Sequence, residues 1–353
     1  GRKPNRRLRM PSSVKKLPGA AFLSFPDMYD MLAAELRERF FCDLQESVRY
    51  GDLLYMPHIG NLLINNLQNE SEAIDDGKIA QGIPSLRVPY WCRTAMLSPL
   101  SIDFESIGDA SRELSDIQRN WAPYDYQFFR RSALIREKLP YINLKERSFP
   151  VRIPAVPIGL YTLTGKHTML ASAATTSFLP AGAIRFTENH EDPPSRAYLK
   201  LYEALTLMRL FFGCDLPGKG ERCFDAGASP GGWTWVLAGL GCNVFSVDRA
   251  ELVPELIANP RVDFLRHDAF TLKPEDVGAC DWVFSDVICY PERLYEWIGT
   301  WLSSGLCKNM ICTVKMQGGI DWQLIEKFAS LPDSRLVHLN YNKHELTWLC
   351  CKK

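Results

Sequence analysis

A seven-stranded, Rossmann-like α/β domain preceded by an α+β region is the fold class predicted by three features of the sequence. From Glu191 onward, helix-like and strand-like patterns alternate regularly. The inner candidate strands are continuous apolar runs, as expected where helices cover both faces of a parallel sheet. A small-residue turn, Gly227-Ala228-Ser229-Pro230-Gly231-Gly232, joins one such run to an apolar helical stripe. Open parallel sheets bind nucleotides at this kind of junction.

Residues 1–18 read as a basic flexible arm, since seven of the first 16 are Arg or Lys and none is acidic. Residues 19–190 read as an α+β region. An apolar run covers Ala20 to Phe25. Asp27 then caps a helix carrying Met28, Leu32, Leu36 and Phe40. Ser47 to Met56 reads as a strand. Residues 57–86 read as a loop with a short helix around Leu62 to Leu67, and Pro89 to Met96 as a second apolar run. Ile107, Ala110, Leu114, Ile117 and Trp121 share one helix face behind a Ser106/Asp109 capping box. Such strand and helix units suit a ferredoxin-like arrangement.

Between residues 124 and 138, Tyr124, Tyr126, Phe128 and Phe129 interleave with Arg130, Arg131, Arg136 and Lys138. The mix suits stacked bases and bound phosphates, and ordinary amphipathic packing explains it equally well. Pro150 to Gly182 reads as strands and loops, and Glu191-Asp192-Pro193-Pro194-Ser195 as a hinge and helix start. The domain over 191–353 then has candidate strands Arg222 to Ala226, Asn243 to Asp248, Val262 to Arg266, Asp281 to Val287, Asn309 to Met316, Arg335 to Tyr341 and Glu345 to Cys351.

The 353 residues are 46% hydrophobic with zero net charge, which excludes a disordered or fibrous chain. Zero hides an asymmetry: 24 basic against 20 acidic residues up to residue 190, and 17 against 21 beyond it. No stretch is long and apolar enough for a membrane span, and the basic start lacks a signal-peptide core, so a cytoplasmic protein is expected. Eleven cysteines without a C-x-x-C pair, mostly in apolar runs, read as reduced thiols. The six histidines lack metal-ligand spacing, so no metal site is predicted. Trp282, Trp297, Trp301 and Trp322 read as packing residues, and His267 as a lining residue.

The turn after Asp225 departs from G-x-G-x-x-G, and Pro230 lacks the N–H that a pyrophosphate cradle would use. That disfavours a dinucleotide. Asp248 ends the next strand, where it could accept both ribose hydroxyls of an adenosine. Asp268 follows the third strand, where its carboxylate or the adjoining backbone could meet the adenine. Together these point to S-adenosylmethionine, held by Asp225, Gly227, Ser229, Pro230, Gly231, Gly232, Trp233, Asp248, Asp268 and Asp286.

The chain resembles the FtsJ-like ribose 2'-O-methyltransferases of RNA, in particular the bacterial large-subunit type with an added N-terminal RNA-binding region (the RlmM type). Pro193-Pro194-Ser195-Arg196-Ala197-Tyr198-Leu199-Lys200, Gly227 to Trp233, Asp286 with Pro291 and Arg293, Thr313-Val314-Lys315, and Glu345-Leu346-Thr347 carry the resemblance. It implies a methyltransferase domain behind a THUMP-like region, and ribosomal RNA as substrate and partner; no obligate protein partner is inferred. It also implies a Lys-Asp-Lys-Glu tetrad of Lys200, Asp286, Lys315 and Glu345.

The residues support those positions independently. Lys200 lies off the apolar seam Tyr198, Leu201, Leu205, Met208 and Phe212, and Asp286 and Lys315 each end an apolar run at a sheet edge. The roles expected are Lys315 as general base, made easier to deprotonate by burial and by the charge of Lys200, Asp286 orienting it, and Glu345 positioning Lys200 or the ribose. Three other readings remain: a cytosine-C5 methyltransferase using Cys289, a non-catalytic RNA-binding factor that keeps the pocket, and a Rossmann oxidoreductase that binds NAD.

Overall fold

A computed structural model describes residues 12–59 and 88–352. They form two compact units, one of 12–59, 88–145 and 154–184, the other of 146–153 and 185–352.

The first unit runs β1 (Ser13–Lys16), β2 (Ala20–Ser24), α1 (Tyr29–Glu38), β3 (Val48–Tyr50), β4 (Leu53–Met56), β5 (Cys92–Met96), β6 (Leu100–Asp103), α2 (Ile107–Ile117), β7 (Trp121–Pro123), α3 (Phe129–Glu137), β8 (Gly159–Gly165) and β9 (Thr168–Ser172). Four strands form a sheet in the order β3-β4-β2-β5 and five a sheet in the order β1-β6-β9-β8-β7. Only the β7–β8 pairing among these is parallel. Ala21, Leu23, Leu53, Tyr55 and Met96 pack with Tyr124, Leu160 and Leu170, so side chains of both sheets share one core.

Several expectations for this unit need correcting. Ser13–Lys16, assigned to a flexible arm, pair along β6 as an edge strand. All four side chains are exposed, so backbone pairing left no apolar pattern to read. Residues 1–11 and the short helix at 62–67 lie outside the described residues. The single strand expected from Ser47 to Met56 is a hairpin, split at Gly51-Asp52. The Ser106/Asp109 capping box is present, but the helix ends at Ile117. Trp121 instead opens β7, where its Nε1 donates to the carbonyls of Leu114 and Gln118 (2.8 and 2.9 Å) and so satisfies part of the helix end. Tyr124 is buried, accepts from the Asp52 N–H through its hydroxyl (2.6 Å) and stacks on Tyr126 at 5.9 Å. Those two rings are packing residues. Phe128, Phe129, Arg130, Arg136 and Lys138 are exposed.

The second unit runs α4 (Tyr198–Phe212), β10 (Arg222–Ala226), α5 (Gly232–Gly239), β11 (Asn243–Asp248), α6 (Pro254–Ile257), β12 (Val262–Arg266), α7 (Pro274–Val277), β13 (Cys280–Ser285), α8 (Pro291–Ser304), β14 (Cys307–Lys315), α9 (Trp322–Ala329), β15 (Ser334–Val337) and β16 (Glu345–Cys351). Its strands form one sheet in the order β12-β11-β10-β13-β14-β16-β15. β10 to β14 are mutually parallel, and β16 runs antiparallel between β14 and β15. Strand order reverses at β10 and β13, so their carboxyl ends open a crevice where connections diverge to opposite sides. Beneath it, Phe224, Trp282, Phe284, Trp301, Ile311 and Trp348 are buried in the core.

This unit takes in more chain than the boundary at residue 191 assigned. The Arg147 N–H donates to the Arg185 carbonyl (2.9 Å), and the Phe149 ring stacks on Tyr202 at 4.0 Å. Long-range contacts of this kind have no signature in local periodicity. The strand expected over 335–341 stops at Val337, and the segment after it is a loop. Among the described residues no helix is long and apolar enough to cross a membrane.

Candidate active site

Lys200, Asp286, Lys315 and Glu345 come from four separate elements and converge at the crevice. α4 presents Lys200 in its first turn, while Tyr198, Leu199, Leu201, Ala204 and Leu205 are buried. Asp286 is the first residue beyond β13, Lys315 is the last of β14, and Glu345 is the first of β16. The antiparallel register sets Lys315 directly opposite Glu345.

Lys200 Nζ lies 2.6 Å from Asp286 Oδ1 and 3.1 Å from Glu345 Oε1. Lys315 Nζ donates to the Asp286 carbonyl oxygen at 2.8 Å and lies 3.5 Å from Asp286 Oδ1. The four side chains are between 13% and 18% exposed, enough for a substrate to reach them and little enough that their charges are weakly screened. Burial alone would lower the Lys200 ammonium, but the carboxylates of Asp286 and Glu345 outweigh it and hold that group above its ordinary value. Two carboxylates therefore compensate the charge of Lys200. Lys315 has one carboxylate oxygen, at the longer distance.

A cavity of about 390 Å³ opens beside the tetrad. Asp225, Gly227, Ser229, Pro230, Gly232, Trp233, Asp248, Asp286 and Lys315 line it, with Ser195, Ala197, Val287 and Ile288, which were not among the expected site residues. Gly231 does not appear in this lining. It precedes α5 at φ 120°, and a Cβ there would come within 2.3 Å of Leu256 Cδ1, so its role is to let the turn close. Gly227 does line the cavity, at φ 81°, and a Cβ there would lie 2.8 Å from Val287 Cβ. Trp233 is buried, its Nε1 donating to the Ala197 carbonyl (2.9 Å) and tying α5 to the start of α4.

Each carboxylate in this region has a different environment. Asp225 accepts from Thr234 Oγ1 (2.7 Å), and burial, aided by the charges of Asp286 and Asp248, pushes it up to about 7. Asp248 accepts from the Ser229 and Ala250 N–H groups (3.0 and 2.9 Å), one on each oxygen, so each oxygen keeps a lone pair for a ligand.

Asp268 lies in an adjoining cavity of about 150 Å³ with His267, Phe270, Cys289 and Arg293. Its Oδ2 pairs with Arg249 and Arg293 at 2.5 and 3.4 Å, and its Oδ1 accepts from the Phe270 N–H at 3.1 Å. The two arginines were not expected there, since partners so far apart in sequence leave no local pattern. His267 Nε2 is 3.0 Å from Thr271 Oγ1. Burial pushes the Cys289 thiol above its ordinary value, against the pull of Arg293 and Lys315. A group in that state is a poor thiolate nucleophile at neutral pH.

Residues 193–315 match a family described as FtsJ-like methyltransferase. A ribosomal RNA large subunit methyltransferase M from Xanthomonas campestris pv. campestris is 33% identical over 258 residues, covering 69% of each chain. The protein of that name from Xanthomonas oryzae pv. oryzae is 34% identical over 201 residues, 54% of this chain and 57% of the relative, so the match spans little more than half of that relative's length. Among solved structures, a putative ribosomal RNA methyltransferase from Plasmodium falciparum is 17% identical, covering 45% of this chain and 97% of that one at a TM-score of 0.34.

Proposed function

The chain belongs to the ribosomal RNA large subunit methyltransferase M family and carries its FtsJ-like domain, and from that premise we propose that it methylates the 2'-hydroxyl of a ribose in large-subunit ribosomal RNA, using S-adenosylmethionine. The observation that carries this reading is that Asp286 and Lys315 belong both to the four-residue cluster and to the lining of the cavity beside the glycine turn. Methyl donor and proton acceptor would thus share one wall.

The cavity suits that cofactor. Its carboxylates Asp248 and Asp286 favour a ligand with cationic sulfonium and ammonium groups over the pyrophosphate of a dinucleotide. Asp248 would hold the ribose hydroxyls on its free lone pairs. Asp268 is occupied by two arginines, which leaves the neighbouring backbone to frame the adenine. When bound, the cofactor supplies an electrophilic methyl group.

The chain's own residues handle the proton. Lys315, as the neutral amine, would take it from the ribose hydroxyl onto Nζ. The Asp286 carbonyl and carboxylate fix the direction of that amine. Lys200 stays an ammonium between two carboxylates and, already protonated, is not available to accept the proton. Glu345 then acts by holding Lys200. Exposed Phe128 and Phe129 beside Arg130, Arg136 and Lys138 support a role for the N-terminal unit in holding RNA, by stacking and by phosphate contacts.

Incubation of the protein with S-adenosylmethionine and unmodified large-subunit RNA, followed by nucleoside analysis, tests the reading. A 2'-O-methylated nucleoside is expected. Methyl groups in 5-methylcytidine, lost in Cys289→Ala, would overturn it in favour of the C5 reading. Tight RNA binding without transfer would favour the non-catalytic one.

Gly227→Ala tests the cofactor assignment separately. The added Cβ meets Val287 and the backbone is strained, so S-adenosylhomocysteine affinity measured by calorimetry is expected to fall about tenfold or more. Wild-type affinity in a folded variant would contradict it.

A further inference from the structure

α4 turns a second charged side chain toward the loop that leads into Glu345. Glu203, one turn beyond Lys200, is only 1% exposed. Its Oε1 accepts from the backbone N–H and the side-chain Nδ2 of Asn340 (2.8 and 2.9 Å), and its Oε2 accepts from the Tyr341 N–H (3.2 Å). These donors belong to the β15–β16 loop, which leads directly into Glu345. The loop has further anchors: Tyr341 Oη accepts from the Phe186 N–H (2.8 Å), and Asn342 Nδ2 donates to Thr347 Oγ1 (3.0 Å).

A buried carboxylate is costly to desolvate, and its place here follows from the donors it satisfies. Burial pushes Glu203 up to about 7 even though three donors pull it down. Three converging N–H groups do require two acceptor oxygens, which a glutamine could not offer without aiming its own N–H at one of them.

We propose that Glu203 is a positioning residue: by holding the Asn340-Tyr341 turn against the helix that carries Lys200, it sets the separation of Lys200 and Glu345 and thereby the geometry of the tetrad. This rests on the reading of Lys200, Asp286, Lys315 and Glu345 as the catalytic group. Glu203 is buried and lines neither of the two cavities, so its effect is expected on turnover rather than on binding.

The test uses Glu203→Gln, Glu203→Asp and Asn340→Ala in the full chain, with two readouts. Hydrogen exchange of the Asn340 and Tyr341 amides is expected to accelerate in Glu203→Gln. Its kcat is expected to fall about tenfold, in line with a small misplacement of reacting groups, with KM for RNA and affinity for S-adenosylhomocysteine unchanged. Glu203→Asp, which keeps both acceptor oxygens, should recover part of kcat. Asn340→Ala, which removes one donor, should show a smaller loss in the same direction and serves if Glu203→Gln does not fold. Wild-type kcat in folded variants, unaltered amide exchange, or equal losses in kcat and both affinities would each overturn the proposal. A wild-type protein that transfers no methyl group to RNA would instead overturn the proposed function, and this role with it.

Discussion

Lys315→Ala is expected to lower kcat for methyl transfer by about 1,000-fold, within the range for loss of a general base. The affinity for S-adenosylhomocysteine should stay close to wild type, because Lys315 meets the cavity at its border with the tetrad, while Asp225, Asp248 and the glycine turn hold the rest of its wall. Lys315→Arg sharpens the test. Arginine restores the positive charge and can still donate to the Asp286 carbonyl, yet its guanidinium does not lose a proton in proteins. If Lys315 works as a base, arginine fails as completely as alanine. If it only places charge beside the ribose oxygen, arginine recovers most of the rate. Single-turnover kinetics with saturating cofactor separates the two outcomes, and recovery in the arginine variant would remove the base assignment.

Asp286→Ala is expected to impair both activity and folding. The carboxylate lies between two ammonium groups, at 2.6 Å from Lys200 and 3.5 Å from Lys315. Without it, Lys200 keeps only Glu345 among the tetrad carboxylates, and Lys315 keeps the main-chain carbonyl. Breaking a largely buried pair costs on the order of 3 kcal/mol, and the site's partial exposure places the expected value at or below that. A lower urea midpoint with an unchanged denaturant slope would register it. Turnover should fall about 100-fold as the direction of Lys315 is loosened. Asp286→Asn keeps the shape and removes the charge, so it should lose turnover with a smaller fall in midpoint. Wild-type turnover in Asp286→Asn would show that the charge is dispensable.

What the sequence made legible follows from where charge interrupts apolar periodicity. Asp286 and Lys315 stand out because each ends a buried run, and a lone charge at such a point needs a partner. Gly227 stands out because a strand, a small-residue turn and a helix meet there. Lys200 and Glu345 were legible mainly through the family resemblance, since their meeting depends on β16 lying antiparallel beside β14, a pairing that no local window contains. Glu203 sits among apolar neighbours in α4, and its only local signal was a single acid on that face. In the first unit, β1 was hidden because an exposed edge strand carries no apolar alternation. Tyr124 and Tyr126 had the composition of a base-binding surface, but the contact that decides their role is with the distant Asp52 backbone.

The place of β16 in the sheet orders events in time. It pairs on both sides, with β14 and β15, and follows both in the chain. As the polypeptide emerges, the glycine turn, Lys200, Asp286 and Lys315 are made well before Glu345. Lys200 gains its second carboxylate only when this late strand slots between two earlier ones. A chain interrupted before that insertion would have Gly227, Asp248, Asp286 and Lys315 but lack the carboxylate that lies 3.1 Å from Lys200.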